Sequence, residues 1–117
     1  MKLAQLHEAK YAGQIDLKQA NQMYQDAYDN GAGELSDPNN RNHIRMKRPL
    51  YYSQGEQQRI VADVVIPKAN SVDEATKATQ WFAKKYNIPY NDISQVSPVG
   101  FGQWSALLSY YPFGAPQ

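Results

Sequence analysis

The fold of this chain is decided by residues 57–111, whose sequence is QQRIVADVVIPKANSVDEATKATQWFAKKYNIPYNDISQVSPVGFGQWSALLSYY. From Gln58 to Ile66, apolar side chains occupy every second position, which is the period of a β-strand with one buried face. These apolar residues are Ile60, Ala62, Val64 and Ile66. Pro67 lacks a backbone N–H and ends the ladder. The alternation therefore predicts a strand that lies against a core.

A helix is predicted after a short link. Ser71 and Glu74 have the spacing of a capping box, in which each side chain satisfies a backbone N–H at the helix start. Apolar residues then recur at steps of three and four up to Tyr86, which places them on one side of a helix. Trp81 falls between this side and the charged side, so its role is the least obvious among the aromatic residues.

Two further strands are predicted downstream of this helix. Ile93–Val99 is the weaker one, because Pro98 restricts it to an edge or to a short strand. Gln103–Tyr111 alternates more regularly, and Gly100-Phe101-Gly102 supplies the positive φ angles that a hairpin loop requires. The two segments are therefore expected to form an antiparallel hairpin.

The first half of the chain adds helical segments and one more strand. Leu3, Leu6 and Ala9 indicate a short helix, and Asp16 with Gln19 forms the cap of a better marked one that ends at Asn30-Gly31. Residues 44–52 are predicted to form a strand that is joined to the next one by a hairpin loop at 53–56, with Pro49 favouring an edge position. The expected organisation is a single domain with an N-terminal helical segment (1–30), a loop or connector (31–43), an α+β core (44–112) and a tail (113–117).

The predicted fold is α+β. An antiparallel sheet of three or four strands, in the chain order β-β-α-β-β, packs on the helix over 72–86 and is accompanied by the N-terminal helical segment. One helix cannot cover both faces and both edges of such a sheet, so self-association is expected.

Composition limits the classes of function. The chain has 117 residues, a formal net charge of +1 and no cysteine, which excludes a strong global field and all thiol chemistry. No apolar run has the length of a signal peptide or a membrane span, so the expectation is a cytoplasmic protein of a bacterial or infected host cell. Phosphate loops, a nucleophile elbow and zinc signatures are missing, and we predict no catalytic residue, cofactor or metal.

The basic and aromatic segment 41–52 is the strongest candidate for nucleic-acid binding. Its cations can hold phosphates while its tyrosines stack on bases, which suits a single strand. The candidate residues are Arg45, Lys47, Arg48, Tyr51 and Tyr52. The alternative is a solvated edge strand, in which lysine and arginine prevent edge-to-edge pairing.

Nine tyrosines and two tryptophans are many for this length. Tyrosine buries a large area and keeps a polar tip, which suits protein interfaces. The candidates for a protein contact surface are Trp81, Tyr110, Tyr111 and Phe113. The alternative is that such rings pack the sheet. An enzymatic alternative would require Asp63, His43 and the acidic helix start to meet in one pocket.

Two segments resemble known proteins. The opening MKLAQLHEAKY (residues 1–11) resembles the starts of many small uncharacterised proteins of tailed bacteriophages, especially marine ones. The segment 61–86, with its strand, Ser-x-x-Glu cap and helix, is similar to small phage proteins that bind and modulate host enzymes. The resemblance implies a phage-like origin and assigns no functional residue.

The expected function is that of a non-enzymatic binding or accessory protein. It would act through protein–protein contacts or self-association, with a surface drawn from Trp81, the Tyr110 to Phe113 end and the basic strand. The alternative is single-stranded nucleic-acid binding through segment 41–52.

Overall fold

A computed structural model describes residues 15–33, 43–54 and 58–112 of the chain. The elements are helix α1 (Leu17–Ala27), a π-helical turn (Tyr28–Ala32), strands β1 (Arg45–Met46), β2 (Leu50–Tyr52) and β3 (Arg59–Ile66), helix α2 (Val72–Lys85), and strands β4 (Asp92–Gly100) and β5 (Gln103–Tyr110). All ladders between these strands are antiparallel, and the sheet runs from β1 and β2 through β3 and β5 to β4. The predicted α+β class is confirmed.

The strand predicted over 44–52 is divided into β1 and β2. Both pair with β3, so the sheet is four positions wide although it contains five strands. Pro49 stands just before β2 and has no N–H to donate, which interrupts the ladder between the two pieces. The predicted edge position of this segment is confirmed.

Both predicted helix caps are present. The Asp16 side chain accepts a hydrogen bond from the Gln19 N–H at 2.7 Å, and the Ser71 hydroxyl oxygen accepts one from the Glu74 N–H at 3.1 Å. Regular helical angles stop at Asn30 and at Gly31, whose φ is +121°.

The start of the predicted connector 31–43 has regular secondary structure. The π-helical turn carries the chain to Ala32, and Gly33 then forms a parallel bridge with Met46 of β1. The helix predicted around Leu3 to Ala9 and the remainder of the connector up to residue 42 lie outside the described residues.

The hairpin between β4 and β5 closes with a two-residue loop. Gly100 pairs with Gln103, and the intervening Phe101 and Gly102 have φ angles of +55° and +78°. Two consecutive positive φ angles define a type I′ turn, whose twist matches that of the flanking strands. Strand β4 lies at the sheet edge, as predicted.

The core lies on one face of the sheet, where both helices pack. The alternating residues of β3, namely Ile60, Ala62, Val64 and Ile66, are all buried as predicted. They share one apolar cluster with Tyr24 of α1 and Phe82 of α2. Within the described residues, neither helix is long and apolar enough to cross a membrane.

Candidate binding surface

The face of the sheet opposite the apolar cluster that includes both helices is here called the open face. On it Val61 and Ser109 are buried, whereas Leu50 and Tyr52 are exposed. Residues directly opposite each other in an antiparallel ladder point to the same face. The ladder partners of Arg59, Val61 and Val65 therefore belong to the open face. These partners are Tyr52 and Leu50 on β2, Arg45 on β1, and Ser109 and Ser105 on β5.

A tyrosine–arginine cluster of Tyr52, Arg59 and Tyr111 lies at one end of the open face. The guanidinium carbon of Arg59 is 5.2 Å from the centroid of the Tyr52 ring, within the range of a cation–π contact. Its Nη1 donates to the Tyr111 hydroxyl oxygen at 3.3 Å. Because β2, β3 and the end of β5 each contribute one of the three residues, the ladder register holds the cluster together.

Arg59 retains hydrogen-bonding capacity. Its Nε is buried and has no hydrogen-bond partner among the described residues. A buried donor without a partner costs about 1–3 kcal/mol, because it has lost water and gained nothing in return. A ligand oxygen that drew the guanidinium toward it would remove part of this cost.

A groove of about 420 Å³ occupies the other end of the open face. Its lining combines two cations, one carboxylate, two amide or hydroxyl groups and two valines: Arg45, Lys47, Asp63, Gln103, Ser105, Val65 and Val99. The Lys47 N–H donates to the Asp63 carbonyl oxygen at 2.8 Å, which holds the segment after β1 against β3. The excess of cations favours an anionic group on whatever binds there.

Strand alternation divides the predicted nucleic-acid residues between two sides. Arg45, Lys47 and Tyr52 are on the open face or in its groove. Tyr51 is the ladder partner of the core residue Ile60 and so points to the helix side. Arg48 is not part of the open face either, because its guanidinium carbon lies 4.9 Å from the ring centroid of Tyr28 beside α1.

The predicted protein-contact residues do not form one surface. Tyr110 is buried, its hydroxyl donates to the Ile15 carbonyl oxygen at 2.8 Å, and burial raises its pKa, so its ring is not offered to a partner. Trp81 is exposed on α2, where the Lys85 ammonium lies 5.1 Å from its ring centroid. Tyr111 is at the end of β5 on the open face, away from Trp81, and Phe113 lies outside the described residues.

Three notable exposed or clustered residues were not among the predicted site residues. Arg59 alternates with Val61 on the open face, and the predicted hairpin with the preceding strand already implied that it could meet Tyr52. Leu50 and Phe101 are exposed apolar residues, the latter completely. No sequence signal distinguishes Leu50, since exposure depends on which side of a strand is covered.

Asp63 and the acidic helix start of the enzymatic alternative do not converge. Asp63 lies on the open face, whereas the acidic first turn of α2, with Asp73 and Glu74, belongs to the helix layer on the other side of the sheet. Among the described residues, no three or more His, Asp or Glu side chains are grouped so that they could hold a metal ion.

Comparison with known proteins gave no match to a family model, to a curated protein or to a solved structure. The resemblance to phage proteins therefore stays a prediction.

Proposed function

We propose that this protein is a non-enzymatic binding protein that holds a partner polypeptide on the open face of its sheet. The observation that carries the proposal is the tyrosine–arginine cluster, which joins Tyr52, Arg59 and Tyr111 on the face opposite the two helices of the described residues. Tyrosine and arginine are enriched at protein interfaces and among the residues that dominate binding energy, because each combines a flat apolar surface with hydrogen-bonding groups.

The surroundings of the cluster support a polypeptide ligand. Leu50 and Leu107 lie on the same face and supply apolar area beside the rings. The groove with Arg45 and Lys47 continues the surface and offers cations for an acidic side chain. A segment with aromatic or aliphatic residues at one end and a carboxylate at the other has the complementary chemistry.

Affinity capture with matched variants tests the proposal. The tagged protein is compared with Arg59→Ala, Tyr52→Ala and, as a control, Trp81→Ala, which removes an exposed aromatic side chain from the helix layer. We expect the captured partner to be lost with both open-face variants and retained with the control, while circular dichroism shows the same folded spectrum for all four. A partner retained by both open-face variants would contradict the proposal.

Single-stranded nucleic acid is the second candidate ligand for the same face. The observation in its favour is that Arg59 lies beside the Tyr52 and Tyr111 rings, while Arg45 and Lys47 lie at the other end of the same face, so base stacking and phosphate contacts are available along one surface. The number of cations on this face is small. Any such binding is therefore expected to be weak at physiological salt.

Fluorescence anisotropy with a labelled oligo-dT strand distinguishes the two candidates. Three phosphate contacts predict that the logarithm of the binding constant falls with the logarithm of salt concentration with a slope of roughly −2. Lys47→Gln should make this slope less negative by about 0.7, because one phosphate contact is lost, whereas Lys84→Gln on the helix layer should leave the slope unchanged. No association at low salt eliminates nucleic acid and leaves the polypeptide proposal in place.

A further inference from the structure

The two edges of the sheet differ in their protection against a further strand. Strand β4 forms one edge, where Pro98 lacks an N–H, Gln95 has a φ of +53°, and the register shifts twice. Proline and bulges on an edge strand prevent regular pairing with another chain. This edge is therefore a poor template for association.

Among the described residues, the other edge is covered over β1 but not over β2. Gly33 forms a bridge with Met46 and so occupies the outer side of β1. Within the described residues, β2 pairs only with β3. All three β2 residues, Leu50, Tyr51 and Tyr52, are exposed, and none is charged. An apolar strand with a free outer edge is a template for strand addition.

We propose that β2 pairs antiparallel with β2 of a second copy of this chain, about a two-fold axis that passes Tyr51. In this register Tyr51 faces Tyr51 of the second copy, and Leu50 faces Tyr52 on both sides of the axis. Aromatic and aliphatic residues directly opposite each other are favourable cross-strand pairs. This register allows hydrogen bonds in either of the two possible arrangements of the backbone. If the N–H and C=O groups of Tyr51 point outward, the two Tyr51 residues bond to each other; if those of Leu50 and Tyr52 point outward, the two Leu50–Tyr52 pairs do.

The flanking charges favour a second copy as the occupant. In the same register Arg48 faces Gln54, and Pro49 faces Ser53, so no two like charges are brought opposite each other. An isologous two-fold contact uses the same patch on both partners and closes after two copies. The protected β4 edge then prevents further growth of the sheet.

Pairing at β2 would extend the proposed function without depending on it. The two sheets become one continuous sheet, and both open faces lie on the same side. Each tyrosine–arginine cluster stands next to the new junction, because Tyr52 belongs to both features. A three-residue strand provides only a small interface, so the dimer should form in a concentration-dependent equilibrium.

A cysteine variant provides the sharpest test, since the natural chain has none. Residues directly opposite each other in an antiparallel pair have Cα atoms about 4.5–5.5 Å apart, which is within the range of a disulfide. Under mild oxidation, Tyr51→Cys should form a covalent dimer much faster than Val72→Cys. Val72 is a stringent control because it lies on the helix layer and, at 54%, is more exposed than Tyr51 at 38%, so exposure alone would favour crosslinking of the control.

Light scattering after size-exclusion chromatography gives an independent measurement. The wild-type mass should rise from monomer to dimer with concentration, and Leu50→Lys should raise the dissociation constant at least tenfold, since the change acts twice across the axis. Val72→Lys should leave the constant unchanged. A wild-type monomer at every concentration, or equal crosslinking of the two cysteine variants, would overturn the pairing; capture of a partner on the open face would then still stand.

Discussion

Two buried tyrosines in the core differ in what their hydroxyl groups contact. The Tyr110 hydroxyl donates to the Ile15 carbonyl oxygen, while the buried Tyr24 hydroxyl has no hydrogen-bond partner among the described residues. An unsatisfied buried hydroxyl costs free energy that a phenyl ring would not. The same substitution to phenylalanine should therefore have opposite effects at the two positions.

We expect Tyr24→Phe to leave the free energy of unfolding unchanged or raise it by about 1 kcal/mol, and Tyr110→Phe to lower it by about 1 kcal/mol. Urea unfolding followed by far-UV circular dichroism measures both. A loss of similar size in the two variants would show that the Tyr24 hydroxyl has a bonding partner in solution.

Alkaline pH should destabilise the fold through the same residues. Burial raises the pKa of Tyr24 well above its usual 10.0, with a smaller contribution from Tyr110. Above about pH 10 the unfolded chain releases the phenolic proton while the folded chain still holds it, so the free energy of unfolding falls as pH rises. Below about pH 10 both states keep the proton and this contribution is fully present.

The measurement is urea unfolding of wild type and Tyr24→Phe between about pH 8 and about pH 11. Stability of the variant should decline less steeply, because one phenol with a raised pKa has been removed. Parallel declines would assign the alkaline loss to other groups.

Residue roles were predictable where the signal was local and not where it depended on a distant surface. The Asp16 and Ser71 caps bond to N–H groups three residues away, so their sequence spacing sufficed. Tyr110 was predicted to face a partner, but its position opposite Ile60 in the ladder places it in the core. That position depends on which side of β5 the helices cover.

At the scale of elements, the hairpin loop carries an unfavourable residue. Phe101 has a φ of +55° and is fully exposed, so its side chain gains no burial that would offset the left-handed backbone. Asparagine tolerates this conformation better and is preferred at the first position of a type I′ turn before glycine.

We expect Phe101→Asn to raise the free energy of unfolding by about 1 kcal/mol. Phe101→Ala is the control, since it removes the ring but keeps a side chain without the local bonding capacity of asparagine. Thermal unfolding by circular dichroism distinguishes them. Equal stability of the two variants would mean that the turn is not strained in solution.

The elements themselves followed from the sequence more closely than their ends. Helix α2 was predicted to extend to Tyr86 and stops at Lys85, with Tyr86 as its cap. The division of 44–52 into β1 and β2 was missed, because a proline shows where one N–H is absent but not how far the ladder beyond it continues.

At the scale of the whole molecule, alternation determines which residues share a face but not what covers that face. Both faces of β3 carry β-branched residues, and Val61 on the open face is nearly as buried as the core residues. The alternation predicted that Ile60 and Val64 face the core, and the structure confirms this. The contact between Arg59 and Tyr111 depends on the register of two strands far apart in the sequence, so the complete tyrosine–arginine cluster came only from the structure.

The adjacent aromatic residues of α2 test whether the helix joins this single core. Phe82 is completely buried and belongs to the apolar cluster shared by the sheet and both helices, whereas Trp81 is 57% exposed. Phe82→Ala should lower the free energy of unfolding by about 3–5 kcal/mol, because it leaves a cavity between the two layers. Trp81→Ala should cost less than about 1 kcal/mol, mostly from the lost contact with Lys85.

Urea unfolding followed by far-UV circular dichroism suits both variants, since it does not depend on tryptophan fluorescence. A total stability of about 5–15 kcal/mol is usual for a domain, so the loss at Phe82 would bring the whole chain close to unfolding in one transition. A Phe82→Ala transition in which α2 melts before the sheet would show instead that the two layers are separate cooperative units. The open face would then depend on the stability of the sheet alone. A sheet of three or four strands is stable only when one of its faces is packed.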